Sequence, residues 1–84
     1  MADSEIEGVV TSDGRPVGGA YVRLIGPSGE FVSEQYTKDE GKFVFYVAPG
    51  AWTLEVRAAG RAASTKTVDV EHERGPVHID LQPA

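Results

Sequence analysis

The sequence predicts an all-β protein in which two sheets pack face to face, and three observations lead to this fold class. Of the 84 residues, 11 are Val, 3 are Ile and 5 are Thr, and these β-branched side chains crowd a helix but pack well on a pleated surface. Glycine and proline recur about every 8–12 residues, the spacing of short strands joined by turns. Between those turns apolar and polar residues alternate, which is the period of a strand that buries one face.

Turn-forming residues divide the first half of the chain into three predicted strands. Tight turns are predicted at Asp13-Gly14 and at residues 26–29. Asp and Gly tolerate a positive backbone φ angle, and the ring of Pro fixes the φ angle of that residue. The strands that these turns bound are residues 5–11, 20–25 and 31–37. The second strand alternates cleanly, but the third has no consistently apolar face, so its pattern does not identify a buried side.

Four further strands are predicted at residues 43–47, 52–57, 65–71 and 77–81. The segment 38–41 turns the chain into the first of them, and Pro49-Gly50 separates the first from the second. A loop of small residues around Gly60 precedes the third, and Gly75-Pro76 precedes the last. A chain of this length predicts one small domain, residues 5–82, behind a flexible tail of residues 1–4.

Seven strands with one apolar face each predict two sheets about 10 Å apart that share a core. The side chains expected to point inward are Ile6, Val10, Ala20, Val22, Leu24, Phe43, Phe45, Trp52, Leu54, Val56, Val68, Val70, Val77, Ile79 and Leu81. A domain this small buries only about 60–65% of the surface that its unfolded chain exposes. Each large side chain of this set should therefore matter for stability.

Charge and composition exclude several functional classes. The chain has 8 Lys and Arg against 13 Asp and Glu, a net charge of −5, which argues against binding to nucleic acid or to anionic membranes. No stretch approaches the roughly 18 apolar residues of a membrane span. The acidic start MADSEIEG lacks the basic and apolar regions of a secretory signal, so a cytoplasmic location is expected.

The residues that carry chemistry form no catalytic or metal-binding pattern in the sequence. There is no Cys and no Gly-Xaa-Ser-Xaa-Gly elbow. The two histidines, His72 and His78, match no standard zinc spacing and are interpreted as solvated. Asp13, Asp39 and Glu40 are interpreted as turn residues, because their spacing is not that of a calcium loop. We therefore predict a protein that is not an enzyme and has neither cofactor nor metal.

A candidate binding surface is formed by side chains that point away from the predicted core. Tyr21 and Arg23 alternate with inward residues on one strand, Val44 and Tyr46 do so on another, and Tyr36 is added from the ambiguous third strand. If these strands pair, they present one outward patch of types that are enriched at binding hot spots. The patch predicts a protein partner or self-association; the alternative is an ordinary outer sheet face with cross-strand aromatic pairs.

Trp52 has two interpretations. It follows Pro49-Gly50 at the start of a predicted strand, where an exposed indole would be a platform for stacking a sugar. Leu54 and Val56 share its face, which favours packing in the core. A carbohydrate- or small-ligand-binding module is therefore the second functional hypothesis.

Two segments together resemble the carboxypeptidase regulatory-like domain. They are DGRPVGGAYVRL (13–24), after an Ile-Xaa-Gly-Xaa-Val strand, and GKFVFYVAPGAWTLEVRAAG (41–60). The resemblance implies a seven-stranded Greek-key sandwich of the transthyretin-like type, and its motifs are structural. Transthyretin-like hydroxyisourate hydrolases carry a C-terminal motif that this chain, ending IDLQPA, lacks. That activity is therefore kept only as a third hypothesis.

A closer likeness is to a group of short, single-domain actinobacterial proteins of unknown function. The shared runs are Gly-Gly-Ala-aromatic-Val-Arg-Leu at residues 18–24 and Ala-Pro-Gly-Xaa-Trp-Thr-Leu at residues 48–54. Genes of that group often lie beside a thiosulfate sulfurtransferase gene, so the resemblance implies a sulfurtransferase as a candidate partner. The chain has no Cys that could itself carry a persulfide.

Overall fold

A computed structural model, which describes residues 4–70 and 75–84, shows eight strands in two sheets. In chain order they are β1 (Ser4–Ser12), β2 (Arg15–Pro16), β3 (Tyr21–Ile25), β4 (Phe31–Tyr36), β5 (Lys42–Val47), β6 (Ala51–Arg57), β7 (Ser64–Asp69) and β8 (Val77–Asp80). The predicted all-β sandwich is confirmed. Within the described ranges, no helix has the length and apolar character that a membrane crossing requires.

Strand β1 organises the first sheet. It pairs antiparallel with β5 along Ser4–Val9 and parallel with β8 along Gly8–Thr11. Its last two residues pair with β2. The second sheet has the order β4-β3-β6-β7, and its neighbouring strands are all antiparallel. Strands β3 and β5 therefore belong to different sheets.

The two-residue strand β2 was not predicted, and it results from the turn before it. Asp13 and Gly14 have φ angles of 54° and 76°, and two successive positive φ angles form the hairpin turn whose twist matches that of the flanking strands. Ser12 is thereby placed opposite Arg15. A strand this short that ends in proline has no periodic pattern that the sequence could reveal.

The core lies between the sheets and confirms 14 of the inward predictions. Its buried apolar residues are Ile6, Val10, Ala20, Val22, Leu24, Phe43, Phe45, Val47, Trp52, Leu54, Val56, Val68, Val77, Ile79 and Leu81. Val47 is an addition to the predicted set. Val70 is a correction, because it is half-buried and packs against the edge of the core just after β7 ends.

The ambiguous third strand, β4, is an edge strand that buries neither face. Five of its six residues are exposed, and only Gln35 is half-buried. The Gln35 side chain spans the gap between the two sheets: its amide nitrogen donates to the Val44 carbonyl at 3.0 Å, and its amide oxygen accepts from the Val44 N–H at 2.9 Å. One side chain thus supplies the bonds that a neighbouring strand would give to β5.

Gln35→Met should lower the free energy of unfolding by about 1–3 kcal/mol, because a thioether of similar size leaves the half-buried Val44 backbone groups without partners. Urea denaturation checks the energy, and hydrogen exchange at the Val44 amide checks the cause. Gln82→Met is the control, since Gln82 is exposed and should change stability by less than about 0.5 kcal/mol. Equal effects of the two changes would contradict this role of Gln35.

Candidate interaction surface

The structure divides the five predicted surface residues between the two sheets. Tyr21, Arg23 and Tyr36 lie on β3 and β4 of the second sheet, whereas Val44 and Tyr46 lie on β5 of the first. The premise that these strands pair into one patch is therefore wrong. Alternation shows which side chains point outward, but it does not show which sheet a strand joins.

Tyr21 and Tyr36 form an aromatic pair on the outer face of the second sheet. They occupy directly opposite positions on β3 and β4, and their ring centroids are 5.3 Å apart with the planes inclined at 41°. The Tyr21 hydroxyl donates a hydrogen bond to the Glu34 carboxylate. This bond raises the pKa of Tyr21 above its usual value, because the carboxylate favours the protonated phenol.

Arg23 lies beside this pair and is held from two directions. Its Nη1 donates to Glu55 Oε1 on β6 at 3.1 Å, and its guanidinium carbon lies 5.2 Å from the centroid of the Phe31 ring on β4. A half-exposed ion pair contributes little to stability, about 0–1 kcal/mol. The two contacts instead fix the position of the guanidinium beside the Phe31 ring.

Phe31 belongs to this surface, although the sequence did not identify it. A register shift between Leu24 and Ile25 places Phe31 opposite Ile25 on β3, which turns the ring to the outer face beside Arg23. Strict alternation along β4 would have assigned Phe31 to the same face as Ser33, the inner one. Its only signal in the sequence is an aromatic residue in a strand without a clear apolar face.

Most of the large hydrophobic side chains that are exposed to solvent lie on β4. Of the four large hydrophobic residues exposed in the described chain, Phe31 (51%), Val32 (45%) and Tyr36 (63%) lie on this strand. The fourth, Tyr46 (71%), lies on the other sheet opposite Glu5, and half-buried Val44 lies opposite Glu7. We call the outer surface formed by Tyr21, Arg23, Phe31 and Tyr36 the β3–β4 face.

His78 takes part in a hydrogen-bonded group on the outer face of the first sheet. The Thr11 hydroxyl lies 2.8 Å from His78 Nε2 and donates to Asp80 Oδ1 at 2.8 Å. A hydroxyl has one proton to donate, so His78 Nε2 must be the donor in the first contact. A catalytic base would accept a proton from the hydroxyl. Here His78 Nε2 instead donates a proton to the Thr11 hydroxyl oxygen, which is the opposite direction. His72 lies outside the described residues.

Residues 4–70 and 75–84 contain no cluster of three or more His, Asp or Glu side chains that could hold a metal ion. An open cavity of about 440 Å³ is lined in part by Asp13, Arg15 and Arg61. Ser12 also lines it, but its hydroxyl donates to the Leu81 carbonyl at 2.9 Å. This hydroxyl is bound to the backbone rather than to a base, so the cavity lacks the arrangement of an activated nucleophile.

Trp52 packs in the core. Only 8% of its surface is exposed, and its Nε1 donates to the Ala48 carbonyl at 2.8 Å. The indole is therefore not available as a platform for a sugar. The rings of half-buried Tyr21 and exposed Tyr36 are inclined to each other, so they do not form one flat platform either.

Comparison with known proteins places the chain among bacterial sequences without an assigned role. Residues 1–81 match a family described as "Protein of unknown function (DUF1416)". The chain is 49% identical over 51 residues to the uncharacterized proteins Rv0814c and Rv3118 of Mycobacterium tuberculosis; the match covers 61% of this chain and about half (51%) of each relative. It is 38% identical over 76 residues to an uncharacterized protein of Mycolicibacterium smegmatis, covering 90% of this chain and 82% of that protein.

Proposed function

This chain belongs to the DUF1416 family, and we propose that it is a non-catalytic protein-interaction module that binds its partner through the β3–β4 face. One observation carries the proposal: three of the four exposed large hydrophobic residues of the described chain lie on a single edge strand. Single exposed hydrophobic side chains scattered over a protein surface are ordinary. Contiguous exposed hydrophobic side chains, aromatic ones among them, mark interaction sites.

The side-chain types of the β3–β4 face support this proposal. Tyrosine, arginine and phenylalanine give large contact areas, and the first two also offer hydrogen bonds, which is why they are enriched at interfaces. The ring contact between Tyr21 and Tyr36 and the contacts of Arg23 restrain these side chains before binding. A partner would therefore have less side-chain entropy to overcome when it binds.

Tyr36→Ser should weaken partner binding by about fivefold or more, because it removes the most exposed aromatic side chain of the proposed surface. Tyr46→Ser is the matched control: it removes a tyrosine of similar exposure from the other sheet and should leave binding unchanged. Affinity capture from the native cell with quantitative mass spectrometry, followed by calorimetry with the purified partner, measures both effects.

Two results of this comparison would contradict the proposal. Partners that are lost with Tyr46→Ser and kept with Tyr36→Ser would move the binding surface to β5. Partners that bind wild type and both variants equally would remove the β3–β4 face from consideration. Thermal melting provides the folding control, since both side chains are more than half exposed and should contribute little to stability.

A thiosulfate sulfurtransferase is the first partner to test, because of the gene neighbourhood in the actinobacterial group that the sequence resembles. The test is co-purification of the tagged chain with the sulfurtransferase of the same organism, with Tyr36→Ser as the negative control. Absence of the sulfurtransferase from the captured proteins would reject this partner and leave the β3–β4 face as the proposed surface.

A further inference from the structure

The edge strands of the two sheets differ in how well they are protected against pairing with another chain. Unpaired strand edges are a hazard that proteins manage with lysine, proline, short strands or a covering side chain. Strand β7 carries Lys66 among Ser and Thr residues, and β8 has only four residues. The free edge of β5 is covered at Val44 by the Gln35 amide.

Strand β4 has less protection of this kind, because its only charged residue is Glu34 and its bulge lies at one end. Its six residues contain no lysine, arginine or proline, and among the described strands it pairs with β3 alone. The bulge is confined to its start, near Phe31, which leaves Ser33–Tyr36 as regular strand. The longest stretch of unprotected edge thus coincides with the strand that exposes the most hydrophobic surface.

The backbone geometry identifies which groups the edge offers. The Thr37 N–H, just beyond β4, donates to the Ala20 carbonyl at the end of β3 at 2.9 Å. Because successive residues of a strand direct their backbone groups to opposite sides, Gln35 and Ser33 also face β3. The N–H and C=O groups of Glu34 and Tyr36 therefore point to the free edge, where an added strand would bond to them.

The charges on this strand indicate the chemistry of the added strand. Arg23 lies directly opposite Glu34 on β3, but its ion pair is with Glu55 on β6. The Glu34 carboxylate accepts a hydrogen bond from Tyr21 and forms no ion pair with a Lys or Arg of the described residues. A strand that pairs with β4 places one of its residues directly opposite Glu34. A cation there would be favourable, and a second carboxylate would be unfavourable.

We propose that the partner binds as an extended segment that adds to the free edge of β4 and carries Lys or Arg opposite Glu34, with apolar residues on the same face to cover Tyr36 and Phe31. This proposal rests on the proposed function and specifies the mode of binding and the class of partner. Main-chain bonds to Glu34 and Tyr36 provide general affinity, and the cation gives selectivity.

A second copy of the chain is a poorer occupant of this edge. The six residues of β4 include no lysine or arginine, so a second β4 strand cannot place a cation opposite Glu34 in any register. In the antiparallel register centred on Glu34, it places a second carboxylate there. Like charges in directly opposite positions are destabilising. The chain is also acidic as a whole, with a net charge of −5, which adds to the repulsion between copies.

The test uses the full chain and two synthetic eight-residue peptides, one of alternating valine and lysine and one of alternating valine and glutamate. Backbone amide hydrogen exchange by NMR should show new protection at Glu34 and Tyr36 with the lysine peptide, whereas Ser33 and Gln35, which already face β3, should not change. The glutamate peptide should bind more weakly. Glu34→Lys should weaken binding of the lysine peptide by about 1.5- to 5-fold, the range expected for one exposed ion pair.

Each contrary result overturns a distinct statement. Binding without new protection at Glu34 and Tyr36 would reject strand addition while leaving the β3–β4 face as the binding surface. Equal binding of the two peptides would reject a basic partner. A basic partner would also be rejected if the chain without peptide self-associated and protected the Glu34 and Tyr36 amides. No binding of either peptide would reject this inference, whereas the Tyr36→Ser and Tyr46→Ser comparison tests the proposed function independently.

Discussion

Leu54→Ala is expected to remove a large part of the free energy of unfolding of this domain. Leu54 lies at the centre of β6, opposite Leu24 on β3, and its side chain is fully buried. Truncation of such a residue costs about 3–5 kcal/mol, through lost burial and the cavity left behind. A domain of this size has a total stability of only about 5–10 kcal/mol, so this one change removes a large part of it.

Urea denaturation followed by tryptophan fluorescence measures this effect, because the single Trp of the chain, Trp52, is buried two residues away on the same strand. Leu54→Met is the control, since a side chain of similar volume should cost less than about 1.5 kcal/mol. A loss of less than about 1 kcal/mol for Leu54→Ala would mean that Leu54 is not in the core and that the inward face of β6 is wrongly assigned.

Gly41→Ala should be nearly as damaging as Leu54→Ala, for a different reason. Gly41 has a φ of 78°, and a Cβ at this position would lie 2.4 Å from the Val10 carbonyl oxygen. The Gly41 carbonyl also accepts a bond from the Val10 N–H at 2.8 Å, so the two backbones cannot separate without losing it. We expect a loss of about 3 kcal/mol or more, of which only about 1 kcal/mol comes from the positive φ.

Gly19→Ala separates the two causes. Gly19 has nearly the same φ, 75°, but nothing lies within 4 Å of the position that its Cβ would take. Its substitution should therefore cost only about 1 kcal/mol. If chemical denaturation gives the same loss for both variants, the close approach of Gly41 to β1 is not what makes glycine necessary at that position.

Alternation in the sequence was sufficient to predict the core but not the partners of each strand. A buried face requires apolar residues at every second position, so residues such as Val22, Leu24 and Leu54 could be assigned from the chain alone. Strand partnership depends on contacts between residues far apart in sequence, and alternation carries no information about those. This is why Tyr46 was grouped with Tyr21, although the two lie on different sheets.

Only part of the candidate surface could be predicted from the sequence, because alternation gives the direction of a side chain but not the partners of its strand. Tyr21 and Arg23 alternate with buried residues, so their outward direction could be predicted. Phe31 could not be assigned, because a bulge changes the face of the residues beyond it and nothing in the local sequence specifies one. The protection of β5 by Gln35 also depends on a tertiary contact between the two sheets.

The parallel pair of β1 with β8 has a consequence for how the domain acquires its structure. Gly8 meets Val77 and Thr11 meets Asp80, so one side of β1 stays open until residues about 70 positions further along the chain have been synthesised. Contacts between such distant segments slow folding, because a long loop must close before they form. The first sheet can therefore be completed only after residues 77–80 have left the ribosome, and until then one edge of β1 lacks its partner strand.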